Sequence, residues 1–336
     1  MATKNYSRVL LRVMAAGSLI LGVSQWCAAA EGKSPASLAE IVVTIQPGDD
    51  SPSRGLQSQD VAVYQGKSQR KVLGFERLSG EQAAMQLFIY LDGSIGPEAL
   101  RALLPDMKSF LETLPANTEV AVGSLHGGEF QLAQAFTTDR ATAAAALKAP
   151  LAQSGTGDSA YSAVLYLAKR WPSQERMVRR AVLMLTDRND SGYSAPGNNP
   201  YVEAATRDSQ IAGIAVYSVY LPGAGPNTSG DSAMNPGQSN LLALSNATGG
   251  YSYGEGSNGP VSLKPHLEDL EKRLANQYRI IFEPRNDAGA QAVTVKTEMS
   301  GIKIIAPTRV YARRDILTTE VMNTRSPGQA LARSGQ

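Results

Sequence analysis

Cysteine is almost absent from this chain, which has a single one, Cys27, among its 336 residues. Because Cys27 falls within a predicted export signal, the processed chain can form no internal disulfide and no thiolate metal site. Its stability must then come from core packing alone. An excess of one charge sign is also missing, since the formal net charge is +2 and no dense cluster of Lys and Arg is interleaved with aromatic residues. The composition therefore gives no basis for nucleic-acid binding.

The N-terminal apolar run is too short to cross a bilayer, which takes about 18 or more apolar residues. This run, Val13–Val23, follows three basic residues and precedes a stretch of three alanines that ends at Ala30. Such a layout is typical of a secretory signal peptide. We therefore predict a signal peptide over residues 1–30 and an exported protein, periplasmic or secreted, with no stable membrane span after cleavage.

A second apolar run stops abruptly at polar residues. Leu87–Leu91 is apolar on both faces, which is typical of a parallel strand buried between helices, and Asp92 and Ser94 follow at once. Pro97 and the apolar residues after it at helical spacing predict a helix. The strand thus brings Asp92 and Ser94 to the carboxyl edge of a sheet, where ligands and ions bind in open α/β folds.

From Met85 onward, strand-like runs alternate with helical patterns, which predicts a doubly wound, mostly parallel α/β sheet. Further strands are predicted at Glu119–Leu125, Ala181–Leu185 and Ile214–Leu221. Helices are predicted at Glu98–Leu114, Arg140–Leu147, Ala160–Arg170, Val202–Ala212, Ser239–Asn246 and Leu263–Asn276. Glu129–Phe136 follows the preceding strand after a turn too short for a parallel crossover, so we predict it as one antiparallel edge strand.

Short strand-like segments flank this region on both sides. Those before it, predicted as a small antiparallel unit, are Glu40–Gln46, Asp60–Tyr64 and Arg70–Phe75. Those after it are Gln277–Glu283, Ala292–Thr297, Ile302–Ile305 and Arg309–Ala312. We predict that segments 38–80 and 277–313 pair into one small β domain, with the α/β domain of residues 85–276 inserted between them. The tail 314–336 has little apolar periodicity and is predicted to be disordered.

Two motifs resemble the metal-ion-dependent adhesion site of von Willebrand factor type A domains. Asp92-Gly-Ser94-Ile-Gly96 resembles the family's Asp-x-Ser-x-Ser motif, and Thr186-Asp187 resembles the Asp at the end of a later strand. This resemblance covers residues 85–276. It implies oxygen ligands from three loops that hold Mg²⁺ and leave one coordination position open for a carboxylate of a protein partner.

The flanks extend the resemblance. Residues 55–67 look like the N-terminal module of an exported bacterial family related to von Willebrand factor A, and residues 277–284 and 309–313 look like its closing strands. Together these matches span nearly the whole processed chain. They imply a binding protein rather than an enzyme.

Three positions depart from the family pattern. Gly96 stands where the family has a second Ser, and Arg188 follows Asp187 where the family usually has Gly. The middle-loop ligand has two candidates, since Thr156 fits by residue type and Asp158 fits by its spacing to the next helix. The metal ligands that we predict on this basis are Asp92, Ser94, Thr156, Asp158 and Asp187.

These departures leave two outcomes open. If Asp158 is the middle ligand, three carboxylates surround the ion, and Ca²⁺ tolerates that arrangement better than Mg²⁺. If no ion binds, Arg188 neutralises the carboxylates in a salt-bridged cluster. In the second case a partner binds independently of metal, through the loops at 191–200 or 223–237.

A different class of function, the serine hydrolases, uses a Gly-x-Ser-x-Gly elbow that differs by one residue from the segment around Ser94. The elbow needs Gly two positions before the serine to relieve crowding, and Asp92 stands there. The only histidines, His126 and His266, are predicted at a hairpin turn and at a helix start. We therefore expect a non-enzymatic protein that binds a protein partner at the sheet-edge loops.

Overall fold

The computed structural model describes residues 38–48, 55–150, 159–173, 178–187, 200–221, 236–254, 260–285 and 289–312. The predicted signal peptide and the predicted disordered tail lie outside these ranges, so both stay predictions. No helix within the described ranges is long and apolar enough to span a membrane.

The described residues contain strands and helices with the following bounds. The strands are β1 (Ala39–Pro47), β2 (Val61–Gln65), β3 (Ser68–Arg70), β4 (Val72–Arg77), β5 (Met85–Leu91), β6 (Thr118–His126), β7 (Glu129–Thr137), β8 (Arg179–Thr186), β9 (Ile214–Tyr220), β10 (Tyr251–Tyr253), β11 (Gln277–Phe282), β12 (Ala290–Ala292), β13 (Thr294–Thr297), β14 (Ile302–Ile305) and β15 (Arg309–Tyr311). The helices are α1 (Pro97–Thr113), α2 (Arg140–Ala146), α3 (Ala160–Lys169), α4 (Pro200–Ala212), α5 (Pro236–Ala247) and α6 (Lys264–Ala275). Two 3-10 turns cover Ser58–Asp60 and Gly80–Ala83.

The central sheet has the strand order β10-β9-β8-β5-β6-β7. All neighbouring pairs are parallel except β6 and β7, which are antiparallel. Strand β5 is buried at every position because helices cover both faces of the sheet. Leu87 and Ile89 pack on the side of α1 and α6, whereas Phe88 and Tyr90 pack on the side of α3, α4 and α5. The predicted doubly wound fold with one antiparallel edge strand is confirmed.

Aromatic side chains hold the edge strand β7 against the sheet. Phe130 and Phe136 pack on Phe88, with ring centroids 5.5 Å and 6.3 Å away. The register of β6 and β7 shifts twice near Gly123. A Cβ at Gly123 would lie 2.8 Å from the Gln131 carbonyl oxygen and 2.8 Å from the Phe88 ring, so only glycine fits this crossing of the two strands.

The two flanks of the chain are hydrogen-bonded to each other. Strand β1 pairs antiparallel with β11, from Ala39 opposite Phe282 to Thr44 opposite Gln277. The full four-stranded sheet has the order β14-β1-β11-β4, a second sheet has the order β13-β2-β3, and β12 pairs with β15. A separate apolar cluster lies among these strands, with Val43, Val63 and Ile280 fully buried within it.

Two strands predicted in the flanks are wrong, and so is the predicted N-terminal unit. The single strand predicted at Arg70–Phe75 is split at Lys71 into β3, which pairs with β2, and β4, which pairs with β11. The guanidinium of Arg70 donates to the carbonyls of Glu283 and Pro284 at 3.0 Å and 3.2 Å, which directs the chain away from the β2–β3 hairpin toward β11. The N-terminal strands therefore do not form a unit of their own.

The strand predicted at Ala292–Thr297 is also split. Strand β12 pairs with β15 and β13 pairs with β2, and the residue between them, Val293, is buried. Val293 donates its backbone N–H to the Thr308 carbonyl at 3.0 Å, which continues the β12–β15 pairing by one residue. The chain changes sheets directly after it, where Thr294 pairs with Tyr64 of β2.

Candidate functional site

The carboxyl edge of the central sheet brings the two acidic motifs together. Strands β5 and β8 are neighbours and run in parallel, with Leu91 opposite Leu185 at their ends. The residues that follow each strand therefore emerge side by side. The backbone N–H of Asp92 donates to the Leu185 carbonyl at 3.0 Å, which extends the strand pairing one residue into the first motif.

Side-chain hydrogen bonds then join the two motifs. The Thr186 hydroxyl donates to Oδ2 of Asp92 at 2.6 Å, and the Ser94 hydroxyl donates to Oδ1 of Asp187 at 2.5 Å. The backbone N–H of Ser94 donates to Oδ1 of Asp92 at 3.1 Å. Asp92 is 5% exposed and Thr186 is fully buried, while Ser94 and Asp187 are partly open to solvent. We name these four residues the carboxyl-edge cluster.

Helix α1 begins directly beside this cluster. Gly96 is its N-cap residue and makes no side-chain capping bond, and Pro97 occupies the first turn. Ile95 is buried in the core beneath the loop, which fixes the loop between strand and helix. The unpaired N–H groups at a helix N-terminus favour nearby carboxylates. The acidic side chains of the cluster therefore lie near the N-terminus of α1, the end of the helix that carries partial positive charge.

The middle loop of the predicted site lies outside the described residues. This applies to both middle-ligand candidates, Thr156 and Asp158, and also to Arg188. Most of the loops at 191–200 and 223–237 is likewise outside. Within the described ranges no group of three or more His, Cys, Asp or Glu side chains could hold a metal ion. The carboxyl-edge cluster supplies two carboxylates and two hydroxyls, all hard oxygen donors of the kind that Mg²⁺ and Ca²⁺ prefer.

The hydrogen bond of Ser94 differs from that of a catalytic serine. A serine nucleophile donates its hydroxyl proton to an imidazole base, whereas Ser94 donates to the Asp187 carboxylate. The two histidines lie at the end of β6 and in α6. His266 packs against the Tyr253 ring at 5.3 Å, and burial lowers the pKa of its imidazole despite the nearby charge of Asp269.

The sequence does not predict the buried cation that lies at the opposite edge of the sheet. Arg179, the first residue of β8, is only 8% exposed. A charged residue at the start of a strand usually indicates a solvated strand end, and no local pattern marks this one as buried. The elements that cover Arg179 come from distant parts of the chain.

Comparisons with known proteins return solved structures at low sequence identity. No protein-family model matches the chain, and no curated protein matches it. An aerotolerance-related membrane protein from Bacteroides fragilis is similar in structure, at 15% identity over 56% of this chain and 97% of that chain, with a TM-score of 0.41. The conserved hypothetical protein BatB from Bacteroides thetaiotaomicron is 14% identical over 57% of this chain and 96% of its own, with a TM-score of 0.42. The VWA domain of SpRpn10 is 9% identical over 55% of this chain and 92% of its own, with a TM-score of 0.38.

The strand order of the central sheet, its single antiparallel edge strand and the helices on both faces form a von Willebrand factor A-like domain. The fold implied by the Asp92 and Thr186-Asp187 motifs is therefore confirmed.

Proposed function

We propose that this von Willebrand factor A-like chain is an exported, non-enzymatic protein-binding protein that takes an acidic group of a protein partner at the carboxyl-edge cluster, through a divalent cation. The observation that carries the proposal is the contact between motifs more than 90 residues apart. Ser94 touches Asp187 and Thr186 touches Asp92, with both hydrogen bonds at 2.6 Å or less. Two pairs of side chains with oxygen donor atoms thus meet at the sheet edge where α/β folds bind ligands.

The chemistry of the donors supports Mg²⁺ or Ca²⁺ as the cation. Asp92, Ser94 and Asp187 are the described side chains that would hold the ion, and Thr156 or Asp158 would complete the set. An ion bound there would supply a Lewis-acidic position for a carboxylate of the partner. Gly96 offers no side-chain oxygen, so water would take that position. With Asp158 in the set, the added negative charge and looser geometry would favour Ca²⁺.

One observation favours a second candidate, in which the partner binds without metal. Both carboxylate oxygens of Asp92 already accept hydrogen bonds from the protein, from Thr186 and from the Ser94 backbone. A cluster satisfied in this way is stable without an ion. Under this candidate the fold is a scaffold with a degenerate metal site, and the neighbouring loops at 191–200 or 223–237 make the contacts.

Titration of the purified protein with Mg²⁺ and Ca²⁺ tests the metal. We expect binding heat and a rise in melting temperature in the wild type, both lost in Asp187→Asn, which keeps an acceptor for the Ser94 hydroxyl but removes the charge. Glu112→Gln is the matched control, because Glu112 is an exposed carboxylate near the far end of α1. Absence of heat and of any melting shift at millimolar ion contradicts the metal route.

A pull-down from envelope extracts, with and without chelator, separates the two candidates. Under the metal route, chelator and Asp92→Asn both abolish capture of the partner. Under the metal-independent route, capture survives both treatments. The melting temperature of Asp92→Asn in chelator, measured alongside, shows whether the variant has kept its fold.

A further inference from the structure

A cavity of about 560 Å³ opens at the amino edge of the central sheet, opposite the carboxyl-edge cluster. The ends of α1 and α6, the 3-10 turn at Gly80–Ala83 and the starts of β5 and β8 enclose it. Its floor is buried and mostly apolar, and includes Leu78, Met85, Leu114 and Leu274. The size lies within the range of small-molecule sites, about 300–1,000 Å³. We name it the amino-edge cavity.

The one charged side chain on this buried floor is Arg179, among the residues that the structure describes. Its guanidinium donates to the Ala83 carbonyl at 2.5 Å, the Leu274 carbonyl at 3.1 Å and Oε1 of Gln277 at 2.6 Å. All three acceptors are neutral. Its Nε has no hydrogen-bond partner, and no described carboxylate pairs with it.

Among the described residues, this cation lacks the carboxylate partner that buried cations usually have. Burial lowers the pKa of the Arg179 guanidinium to about 10, so the side chain remains charged at neutral pH. The other described charges around the cavity are mixed, with Arg77 and Glu81 exposed at the rim and Glu271 partly exposed, and Arg179 is the charged residue of the buried floor among the described residues. A buried charge gains most from an oppositely charged hydrogen-bonding group.

We propose that the amino-edge cavity binds a small amphipathic carboxylate, whose apolar chain packs on the leucine and methionine floor and whose carboxylate pairs with Arg179. Apolar walls and a single buried cation are complementary to a single anionic group on an apolar body. The proposal is independent of the function proposed for the carboxyl-edge cluster, because it rests on different residues at the opposite edge.

Calorimetric titration with three ligands of equal chain length tests the charge preference. Decanoate, decanol and decyltrimethylammonium are added to the full chain below their micellar concentrations. We expect decanoate to bind at least tenfold more tightly than decanol, and decyltrimethylammonium to bind most weakly. Equal affinity for decanoate and decanol would mean that the guanidinium does not pair with the carboxylate, and it would overturn the proposal. Absence of decanoate binding would overturn it as well.

Two neighbouring arginines provide a matched pair of variants. Arg179→Gln removes the buried charge and should abolish the preference for decanoate over decanol. Arg180→Gln makes the same change one residue later, where the guanidinium lies over the Trp171 ring at 5.6 Å, and should leave the preference intact. An unchanged preference in a folded Arg179→Gln protein contradicts the proposal.

A third variant keeps the test decisive if Arg179→Gln fails to fold. Ala116 is an exposed residue that lines the cavity, so Ala116→Trp should fill the opening and weaken decanoate binding at least tenfold without touching Arg179. Ala133→Trp, at an exposed alanine of β7, is its control. Decanoate binding that is unaffected by Ala116→Trp places the ligand elsewhere and refutes the assignment of the cavity.

Discussion

The two edges of the central sheet have opposite chemistry. At the carboxyl edge, Asp92 and Asp187 meet two hydroxyls beside the start of α1. At the amino edge, Arg179 lies beneath an apolar cavity beside the ends of α1 and α6. The acids are therefore found where a helix begins and the arginine where helices end.

This difference follows from the direction of parallel strands. Strands β5, β8 and β9 each lead to a helix N-terminus at one edge, and the helices that follow return the chain to the other edge. Helix N-termini carry partial positive charge and helix C-termini partial negative charge. Arg179 donates to the Leu274 carbonyl in the last turn of α6, and Arg77 donates to the carbonyl of Ala275. The edges of a doubly wound sheet are thus suited to ligands of different charge.

The largest loss of stability is expected from a substitution that disrupts the central sheet, whose two edges are compared above. A Cβ at Gly250, just before β10, would lie 1.9 Å from the Val216 carbonyl oxygen. Gly250→Ala must therefore displace β10 from β9, and we expect a loss of about 3 kcal/mol or more in the free energy of unfolding, measured in urea. Gly55→Ala is the control, since no atom lies within 4 Å of a Cβ there. A loss below about 1 kcal/mol in Gly250→Ala would contradict this packing.

The next largest effect concerns the amino edge itself. Arg179→Met keeps the length of the side chain but removes donors from three acceptors, and we expect a loss of about 2–3 kcal/mol in unfolding free energy. Arg180→Met should cost less than about 1 kcal/mol, because its side chain is partly exposed. Equal losses in the two variants would show that the three buried hydrogen bonds of Arg179 do not stabilise the amino edge.

A smaller effect is expected at the carboxyl edge. Thr186→Val has the same shape but removes the hydroxyl that donates to Asp92, and we expect a loss of about 1–2 kcal/mol when unfolding is measured in chelator. Thr294→Val, at an exposed position in β13, should change the unfolding free energy by less than about 0.5 kcal/mol. An unchanged stability in Thr186→Val would mean that the hydrogen bond does not hold the two motifs together.

The smallest expected effect is a pH dependence of the folding stability that arises from His266 in α6. Burial lowers the pKa of His266 below its ordinary value of 6.5, so the unfolded chain binds a proton more readily than the folded chain does. Stability should therefore fall as pH falls below about 6.5. His266→Phe keeps a ring against Tyr253 and should show a smaller drop in urea midpoint between pH 7 and pH 5. An identical drop in both proteins would rule out His266 as its source.

The carboxyl edge was predictable from sequence because its signal is local. Strands β5 and β8 are apolar on both faces, so the polar residues that follow them, Asp92 and Thr186-Asp187, mark the strand ends clearly. Parallel pairing then requires the two motifs to meet. The helices were predictable for the same reason, because the helical spacing of apolar residues is visible within each segment.

The amino edge was not predictable because its signal is not local. The groups that enclose Arg179 include Ala83, Leu274 and Gln277, each about 95 residues away along the chain. The division of the flanking strands among three sheets was missed for a related reason. Strand character is visible within a segment, but the partner of a strand is set by contacts such as that of Arg70 with Glu283.

The pairing of β1 with β11 has a consequence for the speed of folding. The paired residues are separated by about 240 positions, so β1 finds its neighbour only after the intervening sheet and helices have been synthesised. Until then the apolar side chains of Ile41, Val43 and Ile45 lack the part of their cluster that the C-terminal strands supply. Contacts of such long range slow folding far more than they lower equilibrium stability. We therefore expect the pairing of β1 with β11 to form late in folding and to slow the approach to the native state.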